Sequence, residues 1–313
     1  MQKDTEKDID VLALGEAMIE FNQGCAGADS YAMGYGGDTS NCVIAAARLG
    51  ARAAYLSRVG ADVFGQRLLA LWREEGVSAE GVIVEEGADT GLYFVNHDAQ
   101  GHHFSYRRKD SAASHLAPAD ICEQLLGRSR WLHFSGISQA ISASAAQATH
   151  HAMALAKKHG THISYDLNFR PRLWSIEAGL AAANSTLKYC DVFFPSVDEV
   201  RLLTGLTSAI DVINWAHAGG AKLVVLKLGA EGCIVSSGGK QTLVASIRVD
   251  CVDATGAGDC FAGAFLSQLC AGQDAVGAAV FANAAAALST QGYGAVAPLP
   301  RKEKITGLLG RAP

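Results

Sequence analysis

The chain alternates short, almost wholly apolar runs with alanine-rich stretches of helical spacing. The main apolar runs are IDVLALG (9–15), RWLHFSG (130–136), THISYDLN (161–168), CDVFFPS (190–196) and AKLVVLKLG (221–229). A strand that is apolar throughout is usually buried on both faces, as in a parallel sheet covered by helices. Helical stretches such as 142–159 and 273–290 lie between or after these strands. This alternation predicts a three-layer α/β/α core with a mainly parallel central sheet.

Two segments, 19–37 and 90–108, have little helical periodicity and interrupt this alternation. The second contains TGLYFVN and HHFSYRR around a polar turn, which predicts a β-hairpin. Together they predict a small β-sheet inserted in a single domain that spans residues 1–313. A small sheet at the end of an α/β core is placed to act as a lid.

Composition excludes several classes of partner. The 313 residues carry a net charge of −5, so no basic surface for nucleic acid is expected. No apolar run approaches the roughly 20 residues that a membrane span needs. The polar start, MQKDTEKDID, and eight cysteines without metal-like spacing predict a cytoplasmic protein with reduced thiols.

The stretch DATGAGD at 253–259 places two carboxylates around a glycine turn, directly before an apolar helical run. The backbone N–H groups of Gly256, Ala257 and Gly258 would point at one spot and bind an anion there. Asp259 would lie beside that spot, where a carboxylate repels phosphate. A phosphotransferase needs such a group as a base, whereas a pure binding loop would avoid it. A capped strand-to-helix turn explains the motif alone equally well.

A second glycine-rich helix start, GYGGDTSN, lies at 34–41. Gly36 and Gly37 would let a ligand approach the backbone, and Asp38 and Asn41 would bind its hydroxyl groups. The alternative is an ordinary helix start with Asp38 or Thr39 as the N-cap. Two such helix starts in one α/β chain favour a substrate site.

The pair GGDTSN and DATGAGD, with RVGADVFG (58–65) between them, resembles the ribokinase-like (PfkB) carbohydrate kinase family over the whole chain. The resemblance implies Mg-ATP as phosphoryl donor, Asp259 as catalytic base and the amides of Gly256–Gly258 as anion hole. It also implies that Asp253 orders the loop near the metal, and it leaves room for a monovalent cation such as K⁺.

The resemblance places the nucleotide over the C-terminal part of the sheet. The residues expected on that side are Ser196, Lys227, Gly229, Gly232 and Asn283. Lys227 would pair with phosphate, although a strand-end surface lysine is the alternative. The family often has an N-x-x-E motif where this chain has SVDE, so Ser196 replaces asparagine and Glu199 would orient a magnesium-bound water.

Local features resemble 2-keto-3-deoxygluconate kinases in particular: GGDTSN, YRRKDSAAS (106–114) and DLNFRPRLW (166–174). An acidic sugar gives two arginines a reason to converge, because a guanidinium binds a carboxylate through a planar, charge-assisted fork. Arg108 and Arg170 are expected at the carboxylate or keto end, and Tyr93 and Tyr106 along the carbon chain. Alternatively, Arg170 pairs with Asp166 or a phosphate, and Arg172 faces solvent.

Other functions stay open from the sequence. A fructokinase or another neutral-sugar kinase would share the Asp259 mechanism, a nucleoside kinase is a weaker option, and a sugar sensor would keep the pocket without turnover. Apolar lid positions such as Phe21, Met33 and Phe94 predict a homodimer that pairs two lids.

Overall fold

The structure, a computed structural model, describes residues 7–23, 27–98 and 101–310. The strands in these residues are β1 (Ile9–Leu14), β2 (Met18–Gln23), β3 (Tyr31–Gly36), β4 (Ala53–Gly60), β5 (Val77–Glu85), β6 (Leu92–Asp98), β7 (Gly101–Arg107), β8 (Ser129–Ser135), β9 (His162–Asp166), β10 (Val192–Phe194), β11 (Leu223–Lys227), β12 (Gly232–Ser237) and β13 (Lys240–Ala245). The α-helices are α1 (Asp38–Arg48), α2 (Val63–Glu74), α3 (Glu123–Arg128), α4 (Gly136–Ala140), α5 (Ala143–Lys158), α6 (Ile176–Leu187), α7 (Val197–Thr204), α8 (Ala209–Ala218), α9 (Ala257–Cys270), α10 (Ala275–Ser289) and α11 (Lys302–Leu309).

The central sheet has nine strands in the order β13-β12-β11-β10-β9-β8-β1-β4-β5. The pairs from β11 to β5 are parallel, and β12 and β13 extend one edge as an antiparallel hairpin. All six residues of β1 are buried, as expected for a strand covered on both faces. The predicted mainly parallel core is confirmed.

Two hydrophobic clusters, one on each face of this sheet, make the core. One cluster joins the sheet to α1, α2, α9, α10 and α11, through residues such as Phe265 and Phe281. The other joins it to α3, α5, α6, α7 and α8, through residues such as Phe134 and Val212. These two helical layers with the sheet between them are the three layers that the sequence predicts.

A second sheet has the order β3-β2-β6-β7 and forms the lid. Its strands lie in the two predicted lid segments, apart from Met18 at the start of β2. The central pair, β2 and β6, is parallel, so the two chain segments meet in the middle of the sheet. Phe21 packs edge-to-face on Phe64 of α2 at 6.0 Å and attaches the lid to the core.

Several element boundaries differ from the sequence prediction. The strand predicted over 221–229 ends at Lys227, and a short 3-10 turn follows. The helix that the sequence predicts after the glycines of GYGGDTSN begins at Asp38. Helix α11 was missed because its exposed, charged sequence buries only Ile305. No helix in the described part of the chain is long and apolar enough to cross a membrane.

Candidate active site

Side chains and loops at the carboxyl ends of the parallel strands form the candidate site, as is usual for open α/β sheets. Asp166 is the last residue of β9 and Lys227 the last of β11, while Ser196 lies two residues beyond the end of β10. Glu16 follows β1. Helices α1 and α9 pack on each other, and their N-terminal turns meet where Asn41 binds Asp259.

The start of α9 has the geometry of an anion hole. Gly256 is its N-cap residue in the left-handed conformation, with φ of 75°, which a glycine adopts without steric cost. No side chain caps the helix, and the first-turn amides have no intrahelical partner. The amide of Ala257 donates to the carbonyl of Ala254 in the preceding turn at 3.2 Å. Asp253 holds the loop in place: its carboxylate accepts hydrogen bonds from the amides of Thr255 and Gly294, each at 2.9 Å. These two bonds fix the loop around Asp253; the role near the metal that the resemblance implies for Asp253 stays a prediction.

Asp259 lies in the first turn of α9, beside this hole. Its Oδ2 accepts a 2.8 Å hydrogen bond from Nδ2 of Asn41 on α1, so the two glycine-rich helix starts meet at the predicted base. Burial and the neighbouring Asp38 carboxylate raise the pKa of Asp259 far above its ordinary value. A carboxylate with a raised pKa is a stronger base than an ordinary aspartate.

Asp38 stands in the first turn of α1 and does not cap that helix. The N-cap is Gly37, with φ of 111° and no side-chain hydrogen bond, so the alternative in which Asp38 or Thr39 caps the helix is wrong. Instead Asp38 accepts a 3.0 Å hydrogen bond from Nδ2 of Asn168. Asn168 has a positive φ of 39°.

Lys227 is an internal lysine, and the alternative of a strand-end surface lysine is wrong. Its Nζ lies 2.6 Å and 2.8 Å from the two carboxylate oxygens of Asp166, which is 3% exposed. Burial disfavours both charges and raises the pKa of Asp166. Burial alone would lower the pKa of Lys227, but that pKa is raised because the carboxylates of Asp166 and Glu199 favour the ammonium form. At these distances the ammonium of Lys227 and the carboxylate of Asp166 form an ion pair. A Cβ built at Gly258 would lie 3.5 Å from Nζ, so the ammonium adjoins the anion hole.

Ser196 is the N-cap of α7. Its hydroxyl donates to Oε2 of Glu199 at 2.7 Å, and its backbone amide donates to the same oxygen at 3.1 Å. This capping box fixes the Glu199 carboxylate. The serine that replaces the family's asparagine therefore orients the glutamate three residues later.

Arg170 and Arg172 follow β9 and point to different partners. Arg170 is 48% exposed and lies 3.7 Å from Oε1 of Glu199, so the alternative pairing with Asp166 is not formed. Arg172 donates to the backbone carbonyl of Phe104 in β7 at 3.1 Å. Arg172 is exposed, as the alternative interpretation predicts, and this hydrogen bond is made at the surface.

The lid contributes an aromatic and acidic face near α1. The Tyr93 hydroxyl donates to Oε2 of Glu20, and both side chains are buried. A Cβ on Gly36 would collide with the Tyr93 ring, so glycine is required there by the packing of the lid. Burial raises the pKa of the Glu20 carboxyl group.

Arg108, at the end of the lid hairpin, forms a buried ion pair with Glu16 at the end of β1. Glu16 is 1% exposed and also accepts a 2.7 Å hydrogen bond from Ser111. The guanidinium lies 5.8 Å from the centre of the Tyr106 ring. The structure therefore does not bring Arg108 and Arg170 together as two unpaired cations; each has its own glutamate.

The remaining predicted nucleotide residues lie along β11, β12 and α10. Gly229 and Gly232 bracket the 3-10 turn between β11 and β12. Asn283 is buried on α10, and its Nδ2 donates to the carbonyl of Val244 at 2.9 Å. This bond ties α10 to β13, so the amide nitrogen of Asn283 is engaged within the protein.

The donors near the anion hole fit a magnesium ion carried by phosphates. Within residues 7–23, 27–98 and 101–310, no group of three or more His, Cys, Asp or Glu side chains could hold a metal alone. Glu199 is near enough to Asp166 to raise the pKa of that carboxyl group, and both supply the oxygen donors that Mg²⁺ prefers. Mg²⁺ characteristically keeps several waters and shares one or two carboxylates with substrate phosphates.

Sequence reasoning missed four polar residues of the site. They are Glu16, Glu20, Asp166 as the partner of Lys227, and Asn168. A carboxylate at the end of an otherwise apolar strand, as in HISYD, is the signal that could have identified Asp166. Glu16 and Glu20 carry no comparable local signal, since their partners lie more than 70 residues away.

A lidded α/β core with a carboxylate beside an uncapped, glycine-started helix is the architecture of a ribokinase-like phosphotransferase. The family model described as pfkB family carbohydrate kinase matches residues 8–302. The chain belongs to the PfkB family of carbohydrate kinases, which confirms the resemblance seen in the sequence.

Relatives with two different sugar specificities are about equally similar. The 2-dehydro-3-deoxygluconokinase of Bacillus subtilis is 34% identical, over 96% of this chain and 95% of its own. Fructokinase-1 of Zea mays is 33% identical, over 96% of this chain and 98% of its own. Identity alone therefore does not select the sugar.

Solved structures share the fold over nearly the full chain. An E. coli protein provisionally described as ribokinase II, in complex with ATP and Mg²⁺, superposes with a TM-score of 0.90, 29% identity and coverage of 97% of this chain and 100% of that one. A double-mutant fructokinase from Vibrio cholerae, bound to fructose, ADP and potassium ion, has a TM-score of 0.88, 29% identity and coverage of 97% and 99%.

Proposed function

We propose that this kinase transfers the γ-phosphoryl group of ATP to the 6-hydroxyl group of 2-keto-3-deoxygluconate. The observation that carries the kinase mechanism is the position of Asp259, whose carboxylate adjoins both the uncapped first turn of α9 and the α1 side chain of Asn41. A base, an anion hole and an acceptor-binding helix then meet at one point.

In this mechanism Asp259 accepts the proton of the sugar hydroxyl as its oxygen attacks the γ-phosphorus. The amides of Gly256, Ala257 and Gly258 hold the equatorial oxygens, where negative charge accumulates. Asn41 orients the base through its 2.8 Å hydrogen bond. Asp38, held by Asn168, is placed to accept hydrogen bonds from other hydroxyl groups of the sugar.

The Lys227 ammonium adds positive charge beside the anion hole and would pair with a donor phosphate. Bound Mg²⁺ would supply charge neutralisation on the phosphates, with Glu199 and Asp166 as its nearest protein carboxylates. Gly229 and Gly232 would let the nucleotide approach the turn after β11, beside the strand that Asn283 fixes. The ATP, Mg²⁺ and potassium in the related structures support these assignments; a potassium site in this chain is also part of the proposal.

For the acceptor, the similarity to 2-dehydro-3-deoxygluconokinases and the two arginines near the sugar end support an acidic sugar. Arg170 is half-exposed, and its Nη1 lies 3.7 Å from Oε1 of Glu199, too far for a hydrogen bond. A substrate carboxylate can therefore take the place of Glu199 as the partner of this guanidinium. Arg108 would act with Tyr93 and Tyr106 along the carbon chain.

A fructokinase is the second candidate, and a specific observation favours it. The Arg108 charge is balanced by Glu16, and the buried Glu20 adds a carboxyl group to the same lid face. A neutral ketose with several hydroxyl donors suits such a surface. The equal identity to a fructokinase agrees with this alternative.

The apolar surface of the lid supports a homodimer, which belongs to the same proposal. Tyr31 and Met33 are exposed on one face of the lid, at 40% and 36%. Pairing two lids would bury these side chains. Sedimentation equilibrium should give a dimer for the native chain and a monomer for Met33→Glu; a native monomer would overturn the proposal.

Coupled ADP release with Mg-ATP tests the acceptor directly. We expect kcat/KM for 2-keto-3-deoxygluconate to exceed that for fructose, ribose and adenosine. Arg170→Ala should reduce kcat/KM for the acid far more than for fructose. Arg201→Ala is the matched control, because this exposed arginine pairs with Asp198 on the outside of the neighbouring α7.

The other outcomes are equally specific. Preference for fructose would establish the second candidate and keep the role of Asp259. Equal losses on both sugars in Arg170→Ala would assign that arginine to phosphate binding or to structure. No turnover on any acceptor would overturn the kinase proposal in favour of a sugar sensor.

A further inference from the structure

The segment from Asp166 to Arg172, which joins β9 to the turn before α6, contacts the site through alternate side chains. Asp166 binds Lys227 on the nucleotide side, and Asn168 binds Asp38 on the acceptor side. Arg170 approaches Glu199 at the start of α7. Each of these partners belongs to the phosphoryl-transfer site, so the position of this segment and the geometry of the site are linked.

The fourth contact of the same segment joins the core to the lid. Arg172 donates from Nη1 to the carbonyl oxygen of Phe104 at 3.1 Å. Phe104 lies in β7, the edge strand of the lid sheet. An edge strand turns alternate backbone groups away from its own sheet, and a donor from outside can bind them.

The base of the segment is rigid enough to carry such a contact. Phe169 is buried and stacks on Trp174 at 6.4 Å between ring centres. The amide of Leu173 donates to the carbonyl of Arg170 at 2.9 Å, which closes a turn around Arg172. The guanidinium therefore projects from an anchored turn rather than from a free loop.

We propose that Arg172 is a positioning residue that holds β7 of the lid over the acceptor and links lid closure to the phosphoryl-transfer site. The inference rests on the kinase activity of this family and on lid closure, and it holds for either sugar. A lid that is held closed excludes water, which competes with the sugar as acceptor. Loss of the bond should weaken sugar binding and let more ATP react with water.

The chain offers a matched control for this residue. Arg107 is also an exposed arginine, lies in β7 itself and donates to the carbonyl of its own neighbour, Tyr106, at 3.0 Å. Arg107→Ala removes the same charge from the lid without breaking a bond to the core. Arg172→Lys keeps a cationic donor and should recover part of the native behaviour. Since Arg172 is exposed, none of these changes should alter the melting temperature appreciably.

The first measurement needs no substrate. Amide hydrogen exchange of β7 in the free enzyme should be faster in Arg172→Ala than in the native chain, and unchanged in Arg107→Ala outside the substituted residue. Equal exchange in the two alanine variants would overturn the proposal, even if neither sugar is an acceptor. Because no substrate is present, this measurement tests the role of Arg172 independently of the proposed function.

The second measurement compares ADP released with sugar phosphate formed, on the sugar that the native enzyme uses. Arg172→Ala should raise the acceptor KM by roughly three- to tenfold, as expected for the loss of one charged hydrogen bond at an exposed site. It should leave kcat at saturating sugar within about twofold and increase the ADP released per sugar phosphate severalfold. An unchanged KM with an unchanged ratio would contradict a role in closure.

Discussion

The phosphoryl end and the acceptor end of the site are built in different ways. At the phosphoryl end, one local stretch supplies the base and the hole, and a single ion pair of Lys227 with Asp166 adds the positive charge. At the acceptor end, the groups come from the lid, from α1 and from the segment after β9. There Arg108 already pairs with Glu16, and Arg170 lies beside Glu199. In the proposed mechanism the base and the anion hole therefore come from one local stretch, whereas the choice of sugar follows from which ion pairs at the acceptor end open.

The largest expected effect is at the phosphoryl end. Asp259→Asn should reduce kcat by about 10²–10⁴-fold, because an amide cannot accept the proton of the sugar hydroxyl. Steady-state kinetics on the preferred sugar would measure this loss, and circular dichroism should show a folded protein. Asp274→Asn is the control: Asp274 caps α10 through Gly277, and asparagine caps as well as aspartate. Near-native turnover of Asp259→Asn would remove Asp259 from the role of base.

Lys227→Met should destabilise the protein by on the order of 3 kcal/mol, because it leaves the buried Asp166 carboxylate without its partner. Urea unfolding measures the loss. Adding Asp166→Asn should restore most of the stability, since no unpaired charge remains, but it should not restore turnover. If the double variant recovers turnover as well, the lysine acts only through the fold and not on the phosphates.

At the acceptor end, Arg108→Met should destabilise by about 2 kcal/mol, because Glu16 is then buried alone. The double variant with Glu16→Gln should recover that stability. If Arg108 also binds a substrate carboxylate, the double variant keeps a raised KM for the acidic sugar and a normal KM for fructose. Recovery of both KM values would reduce Arg108 to a residue that attaches the lid to β1.

The smallest effect is on stability as a function of pH. Burial and Asp38 raise the folded-state pKa of Asp259 above its unfolded value, so the native protein binds the extra proton between these two pKa values. The free energy of unfolding contributed by this group is present in acid and falls as pH rises through that window. Asp259→Asn does not titrate there, so it should be more stable than the native chain above the window.

Thermal melts from mildly acidic to mildly alkaline pH would measure this difference. The two proteins should converge in acid, and native turnover should rise with pH over the same window, as the base loses its proton. A constant difference at all pH values would mean that the amide stabilises the helix start for another reason.

The sequence was sufficient for the core and for the start of α9, because both depend on local patterns. Apolar runs between helices predict the central sheet, and DATGAGD contains its own turn, the helix-start amides and the carboxylate that we propose as the base. The ion pair of Arg108 with Glu16 joins residues 92 positions apart, and no local pattern encodes it. The partner of Arg170 is likewise decided by how α7 packs beside the segment after β9.

The parallel pairing of β2 with β6 has a consequence for how such an enzyme changes its substrate. The lid is built from two separate chain segments, β2–β3 and β6–β7, which pair through β2 and β6. Neither segment can be exchanged alone without losing the strand that it pairs with at the centre of the sheet. A graft of a relative's lid must replace both segments together and cut the chain at four junctions. Selection for a new acceptor in this scaffold should accordingly favour point changes at the lid's ends, around Tyr93 and Arg108, over wholesale loop replacement.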